Sequence, residues 1–285
     1  MIKQALTAFI PLMLLSGCAK EFNSVYKSGD IKYRYEYAKE SFALGKYQRA
    51  ATLLQDLIVP EKGTQDAQEC LYMLGMAEYK NMDYQTASET FKKYVKSYPR
   101  GDYSEMAKYY VGQSLFMSTP EPRLDQTETV AAINAFQEYM DLYPDAKHKE
   151  DAQNKLFELQ DKLVQKELYS AELYYNLGTY FGNNSGGDDG GNNYQACIVT
   201  SQNALKDYPY TKKREEFATL IMKSKFHLAE QSVEEKKLER YQDAEDECYG
   251  FLNEFPDSKE KKTAASGRFV TGTTIDPQTW QHATN

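Results

Sequence analysis

The sequence predicts an all-α chain in which about five helical hairpins stack side by side into a superhelix. Three observations carry this expectation. Aromatic and small residues recur with a period of 37, five prolines each follow an apolar or aromatic residue, and small and large residues alternate at helical offsets between those prolines.

The first unit holds Tyr35, Ala38, Phe42, Gly45, Tyr47, Ala50 and Leu54. Tyr72, Gly75, Tyr79, Met82, Tyr84, Ala87 and Phe91 answer them in order 37 residues later. A third unit opens on Tyr109, Gly112 and Phe116. Its second half, Ala132, Phe136 and Tyr139, is displaced by eight residues, so 118–128, with Pro120 and Pro122, reads as a lengthened turn. Gly178 and Ala196 mark the fourth unit. In the fifth, Ala244, Cys248, Phe251 and Phe255 share one helical stripe and form a core face. Val59-Pro60, Tyr98-Pro99, Tyr143-Pro144, Tyr208-Pro209 and Phe255-Pro256 are five helix ends, because proline cannot continue a helix and biases its predecessor away from helical angles. Ala38, Gly75, Gly112 and Gly178 on first helices let Ala50, Ala87, Ala132 and Ala196 on second helices approach closely.

This pattern resembles tetratricopeptide repeats over about residues 30–258, with units a little longer than usual. The resemblance implies a right-handed superhelix. The fourth unit departs from it with a Gly/Asn/Asp run between Phe181 and Tyr194. Asp188 and Asp189 offer hard oxygens to calcium, but the spaced aspartates and closing glutamate of a calcium loop are missing, which favours a surface loop. Past Ser258 the apolar pattern ceases, and 259–285 reads as a polar tail that contains Trp280.

At the amino end, Lys3 precedes an apolar stretch from Ala5 to Leu15 and then small residues, the layout of a secretory signal over 1–17. It closes on Leu15-Ser16-Gly17-Cys18, which resembles a bacterial lipobox and implies a mature chain acylated at Cys18. Acyl chains contribute about 0.8 kcal/mol per buried methylene, so several of them anchor a domain stably. Ala19 after the cysteine favours the outer membrane, with 18–29 as a lipidated linker. In that oxidising space, Cys70, Cys197 and Cys248 are expected as small buried side chains, with a pairing of two of them as the alternative.

Composition narrows the function. With 41% hydrophobic and 27% charged residues the 285-residue chain is a folded one, and a net charge of −8 argues against nucleic acid. Phosphate loops, zinc-hydrolase and nucleophile-elbow signatures are absent, and His148, His227 and His282 stand apart at no ligand spacing. No metal, cofactor or catalytic residue is expected. Pairs such as Glu215-Glu216 and Glu234-Glu235 could serve a glycosidase, but acidic helices supply such pairs by chance. An aromatic-lined concave face suited to extended peptides or helices remains.

Several segments go beyond generic repeats. They are Tyr79-Lys80-Asn81-Met82-Asp83, Asp102-Tyr103 leading into 106–117, Asp161-Lys162-Leu163, Tyr169-Ser170-Ala171-Glu172-Leu173-Tyr174-Tyr175, and Ala204-Leu205-Lys206-Asp207-Tyr208-Pro209. Together with the lipobox they resemble the BamD family, lipoproteins of the outer-membrane barrel-assembly machinery. The resemblance implies a non-enzymatic scaffold. Its amino-terminal repeats would receive unfolded barrel precursors, with Tyr35, Tyr72, Tyr79 and Tyr109 as candidate contacts. Its carboxy-terminal repeats would hold the periplasmic domains of the large barrel subunit, with Tyr169, Tyr174, Tyr175, Thr200, Lys212, Lys213 and Arg214 as candidates. Two departures stand out. The aromatic turn common after the family's first unit is here Val59-Pro60-Glu61-Lys62-Gly63-Thr64-Gln65-Asp66, and the family's Asn-Arg pair is replaced by Val199-Thr200. Arg214 or the Lys212-Lys213 pair could replace the missing cation. Two other readings stay open: a repeat lipoprotein that organises cell-wall or division enzymes, and a glycan-binding lipoprotein.

Overall fold

The computed structural model describes residues 20–178 and 192–267, and among these every regular element is helical. A short helix α1 covers 20–26. It is followed by α2 (Ile31–Ala43), α3 (Tyr47–Leu57), α4 (Ala67–Lys80), α5 (Tyr84–Ser97), α6 (Ser104–Ser118), α7 (Thr127–Leu142), α8 (Lys149–Leu177), α9 (Asn193–Asp207), α10 (Arg214–Glu230), α11 (Glu234–Glu254) and α12 (Lys261–Gly267). Each of the five marked prolines stands just beyond a helix end, at α3, α5, α7, α9 and α11. The described residues form two compact units: those up to 120 with 125–159, and 121–124 with those from 160 on.

The first unit contains the hairpins α2/α3, α4/α5 and α6/α7. Asp30 caps α2 by accepting from Tyr33 N at 3.0 Å, which satisfies one of the free amides at the helix start. The turns inside the first two hairpins are built alike. Lys46 N donates to Ser41 O and Asp83 N to Glu78 O, so each first helix ends with a six-to-one bond and a left-handed residue, Gly45 (φ 73°) and Met82 (φ 64°). The repeat's small residues receive the partner helix's ring: Gly75 faces Phe91 and Gly112 faces Phe136. Phe91, Tyr94, Phe136 and Tyr139 are fully enclosed, and each ring contributes roughly 2–3 kcal/mol of burial.

Within the residues read as a linker, α1 packs Val25 into the core of the first hairpin beside Tyr35, Ala38, Leu53 and Leu54. Cys18, expected to be acylated, and the segment read as a signal lie outside the described residues, as do most of the Gly/Asn/Asp insert and Trp280.

Helix α8 switches its buried stripe between units. Ala152, Leu156 and Leu159 pack into the first unit's core, and after a five-residue step Val164, Leu168 and Ala171 pack against Cys197, Ala204 and Phe217 in the second. Gly178, expected inside a helix as a point of close approach, instead follows the last residue of α8 in a left-handed conformation (φ 47°). A Cβ there would lie 2.6 Å from Tyr194 Oη. The stripe expected in the fifth unit is buried, Ala244 beside Phe226 and Tyr241, and Cys248 with Phe251 in a cluster that Ala264 of α12, from the segment read as tail, joins. Cys70, Cys197 and Cys248 are all buried, each in a different cluster.

Candidate protein-docking site

The aromatic residues of the first unit form a contact chain. Tyr72 stacks on Tyr103 at 4.6 Å and meets Phe91 at 5.8 Å, Phe91 stacks on Tyr110 at 5.3 Å, and Tyr110 meets Tyr79 at 5.2 Å and Tyr109 at 5.4 Å. Rings at these separations and tilts gain quadrupolar attraction beyond their burial. Tyr35 and Tyr109 are only 2% and 6% exposed, while Tyr72 and Tyr79 are half-buried. The Tyr79 hydroxyl accepts from Gln113 at 3.1 Å, and the Tyr109 hydroxyl donates to Asp151 and accepts from Lys155. Burial, reinforced by Asp151, pushes the Tyr109 phenol well above its usual range. The four candidate precursor contacts are thus spread through the packing between helices and are not gathered in one pocket.

Beside them, α5, α6 and α7 form a groove of about 480 Å³. Val95, Val111, Leu115 and Ala135 give it an apolar floor, and Lys92 and Lys96 a basic rim. Lys108 at its edge is tied to Glu138 at 2.6 Å. Sequence periodicity did not reveal this groove, because its residues come from three helices at no common repeat position.

In the second unit, two clefts flank the carboxy-terminal half of α8. Tyr169 and Leu173, four apart on one face, line the first with Arg123, Lys166, Ser170 and Asn176, in about 420 Å³. The Arg123 guanidinium sits 4.5 Å above the Tyr169 ring, and Lys166 Nζ donates to Leu124 O at 3.2 Å. The lengthened turn with Pro120 and Pro122 therefore supplies a strap over α8. The sequence showed the insertion but not its destination. Leu173 is 57% exposed and Tyr174 36%.

The second cleft, about 690 Å³, lies on the Leu168/Glu172 side and is lined by Lys212, Glu215, Glu216, Leu220, Asp257 and Lys259 among others. Of the three candidate cations, Arg214 is engaged by Glu254 and Lys213 by Glu216, at 3.3 Å for the lysine. Lys212 forms no ion pair among the described residues. Tyr175 turns inward. Its ring packs edge-on to Tyr194 at 5.8 Å, its hydroxyl lies 3.4 Å from His227 Nε2, and burial pushes its phenol up to about 12. Thr200 is half-buried on α9, next to exposed Val199. The structure thus brings Tyr169, Tyr174 and Lys212 to accessible positions around α8 and leaves Tyr175 within the packing. Among the described residues no cluster of histidine, cysteine and acid has metal-binding geometry, and no helix is long and apolar enough to cross a membrane.

Stacked hairpins with clefts open to solvent along one helix define a helical-repeat protein whose surfaces suit other chains. The profile of the YfiO family, described as an outer membrane lipoprotein, matches residues 28–237, and the chain belongs to that family. It is 22% identical over 163 residues to the outer membrane protein assembly factor BamD of Caulobacter vibrioides, covering 57% of this chain and 53% of that protein. It is 28% identical over 166 residues to the putative factor of the same name from Aquifex aeolicus, covering 57% and 50%. The Xylella fastidiosa protein is 22% identical over 174 residues, covering 57% and 59%. The chain spans about half the length of these curated relatives.

Proposed function

We propose that the protein is a lipid-anchored, non-catalytic scaffold of outer-membrane barrel assembly, held by acyl chains on Cys18 at the periplasmic face of the outer membrane. The observation that carries this reading is the surface of α8 formed by exposed Leu173 and Tyr174 beside half-buried Tyr169, flanked by two clefts, within the segment matched by the family profile. Aromatic and aliphatic anchors beside a cleft are the groups that supply most of the affinity in protein interfaces. In this reading the large barrel subunit docks its periplasmic domains there, with Lys212 as the available cation. Unfolded barrel precursors, extended and apolar at alternate residues, lie in the Val95/Val111/Leu115 groove of the first unit.

The test is purification of the tagged protein from outer membranes in mild detergent, with mass spectrometry of what accompanies it. Recovery of a large integral barrel with soluble periplasmic domains, in near-equal amount and lost on Leu173→Asp, is the expected result. Recovery of cell-wall enzymes in its place would overturn the assembly reading.

A further inference from the structure

We propose that the edge of the first unit formed by the turns inside its first two hairpins lies flat against an anionic lipid surface. The proposal rests on the acyl anchor at Cys18 and adds to it an orientation that the anchor alone does not impose.

The direction of α1 determines where the anchor enters. The Phe22 ring lies 5.6 Å from the guanidinium of Arg49, which is in the first turn of α3 next to the 44–46 turn. Four residues on, the Tyr26 ring lies 5.6 Å from Arg34, which pairs at 3.2 Å with Asp56 near the other end of α3. Helix α1 therefore runs from the intra-hairpin edge towards the opposite edge, and Lys20 stands at the former. Cys18 precedes Lys20 by two residues, a span of at most about 7 Å.

That edge has the chemistry of an interfacial surface. Asn81 Nδ2 donates to Gln48 Oε1 at 2.7 Å and holds the second hairpin's turn beside the start of α3. The two turns present Leu44, 59% exposed, and Met82, 74% exposed, with exposed Lys20, Lys46 and Lys80 around them and Asp83 as the acid of the second turn. Apolar side chains ringed by lysines match an anionic headgroup layer, into which lysine stems extend along the apolar boundary. The opposite edge also exposes an apolar residue, Val59, but its turns set Asp30, Asp66 and Asp102 against Lys27, Lys62 and Arg100, a balance of charge that gives that layer no net attraction.

Met82 supplies an independent observation. It adopts the left-handed conformation (φ 64°) that Gly45 adopts at the equivalent place one repeat earlier. A side chain there is strained, and this one makes up for none of the strain by burial. Strain and exposure together point to a contact outside the fold.

The test uses the full acylated chain with a polarity-sensitive fluorophore on Leu44→Cys, Met82→Cys or Val59→Cys, the three native thiols of the folded body being buried. The proteins are bound to phosphatidylethanolamine/phosphatidylglycerol vesicles containing nitroxide lipid. Probes at 44 and 82 are expected to shift to the blue and lose emission, while the probe at 59 stays aqueous. Vesicle-bound protein with all three probes equally aqueous overturns the orientation and leaves the anchor standing. A response at 44 and 82 that needs an added partner protein assigns the edge to that partner and also overturns it. Failure of the parent chain to float with vesicles removes the anchor and the orientation together.

Discussion

Gly75 and the Phe91 ring touch with no room for a methyl group between them: a Cβ on Gly75 would lie 2.7 Å from Phe91 Cε1. Gly112 and Phe136 repeat the relationship at 2.8 Å. Alanine at position 75 gains about 1 kcal/mol of helix propensity but forces an enclosed ring to move, at about 1–3 kcal/mol. Gly75→Ala is expected to lower the urea midpoint, and the same change in a Phe91→Leu background to raise it. A higher midpoint in both backgrounds would show the contact to be slack.

Glu78 is a carboxylate where the next repeat places Leu115, and it is only 6% exposed. Burial, opposed by a hydrogen bond from Thr90 and by Lys93 and aided by Asp83, pushes its pKa up to about 7. Its Oε2 has no hydrogen-bond partner. The folded state therefore holds this proton more tightly than the unfolded chain. The resulting stability is full below about pH 4.5 and is lost as pH rises through about 7, on the order of 3 kcal/mol in all. Glu78→Gln should flatten that slope and be the more stable protein at pH 8. Parallel stability-against-pH curves for the two proteins would contradict this assignment.

Relieving the strain at Met82 should be measurable without any membrane. Met82→Gly is expected to stabilise the folded chain by up to about 1 kcal/mol, because glycine enters the left-handed region freely. Met82→Ala should give no such gain. Equal thermal midpoints for all three proteins would mean the backbone relaxes at no cost.

Arg214 and Lys212 are separable. The Arg214–Glu254 pair is about 40% exposed on both sides, so breaking it costs at most about 1 kcal/mol. Exchanging the two residues should restore the loss. Lys212→Glu should leave stability unchanged and weaken recovery of the barrel subunit, whereas Arg214→Ala should leave recovery intact. The reverse ranking in co-purification would make Arg214 the docking cation.

The helix ends were legible because proline acts through local backbone sterics, and all five fall where the sequence placed them. Gly75 and Gly112 were legible too, since a missing side chain opposite a ring recurs at a fixed offset. Gly178 was misplaced because the same residue type also ends helices, and only the φ angle separates the two uses. The candidate contacts differ in exposure. Tyr174 and Lys212 reach solvent, but Tyr35, Tyr109 and Tyr175 pack inward, because tyrosine carries a polar tip that either water or a buried partner such as Asp151 or His227 satisfies equally well. The Arg123 strap joins residues more than forty positions apart, a pairing that no periodicity encodes.

The helix pairs α2–α3 through α6–α7, and α9–α10 through α11–α12, are neighbours in sequence as well as in space. A chain emerging amino end first from a narrow channel can therefore close each hairpin as it arrives, without waiting for a distant segment. Each closed hairpin still leaves one face open until the next repeat stacks on it, so the growing array stays one repeat short of full cover until the last pair arrives.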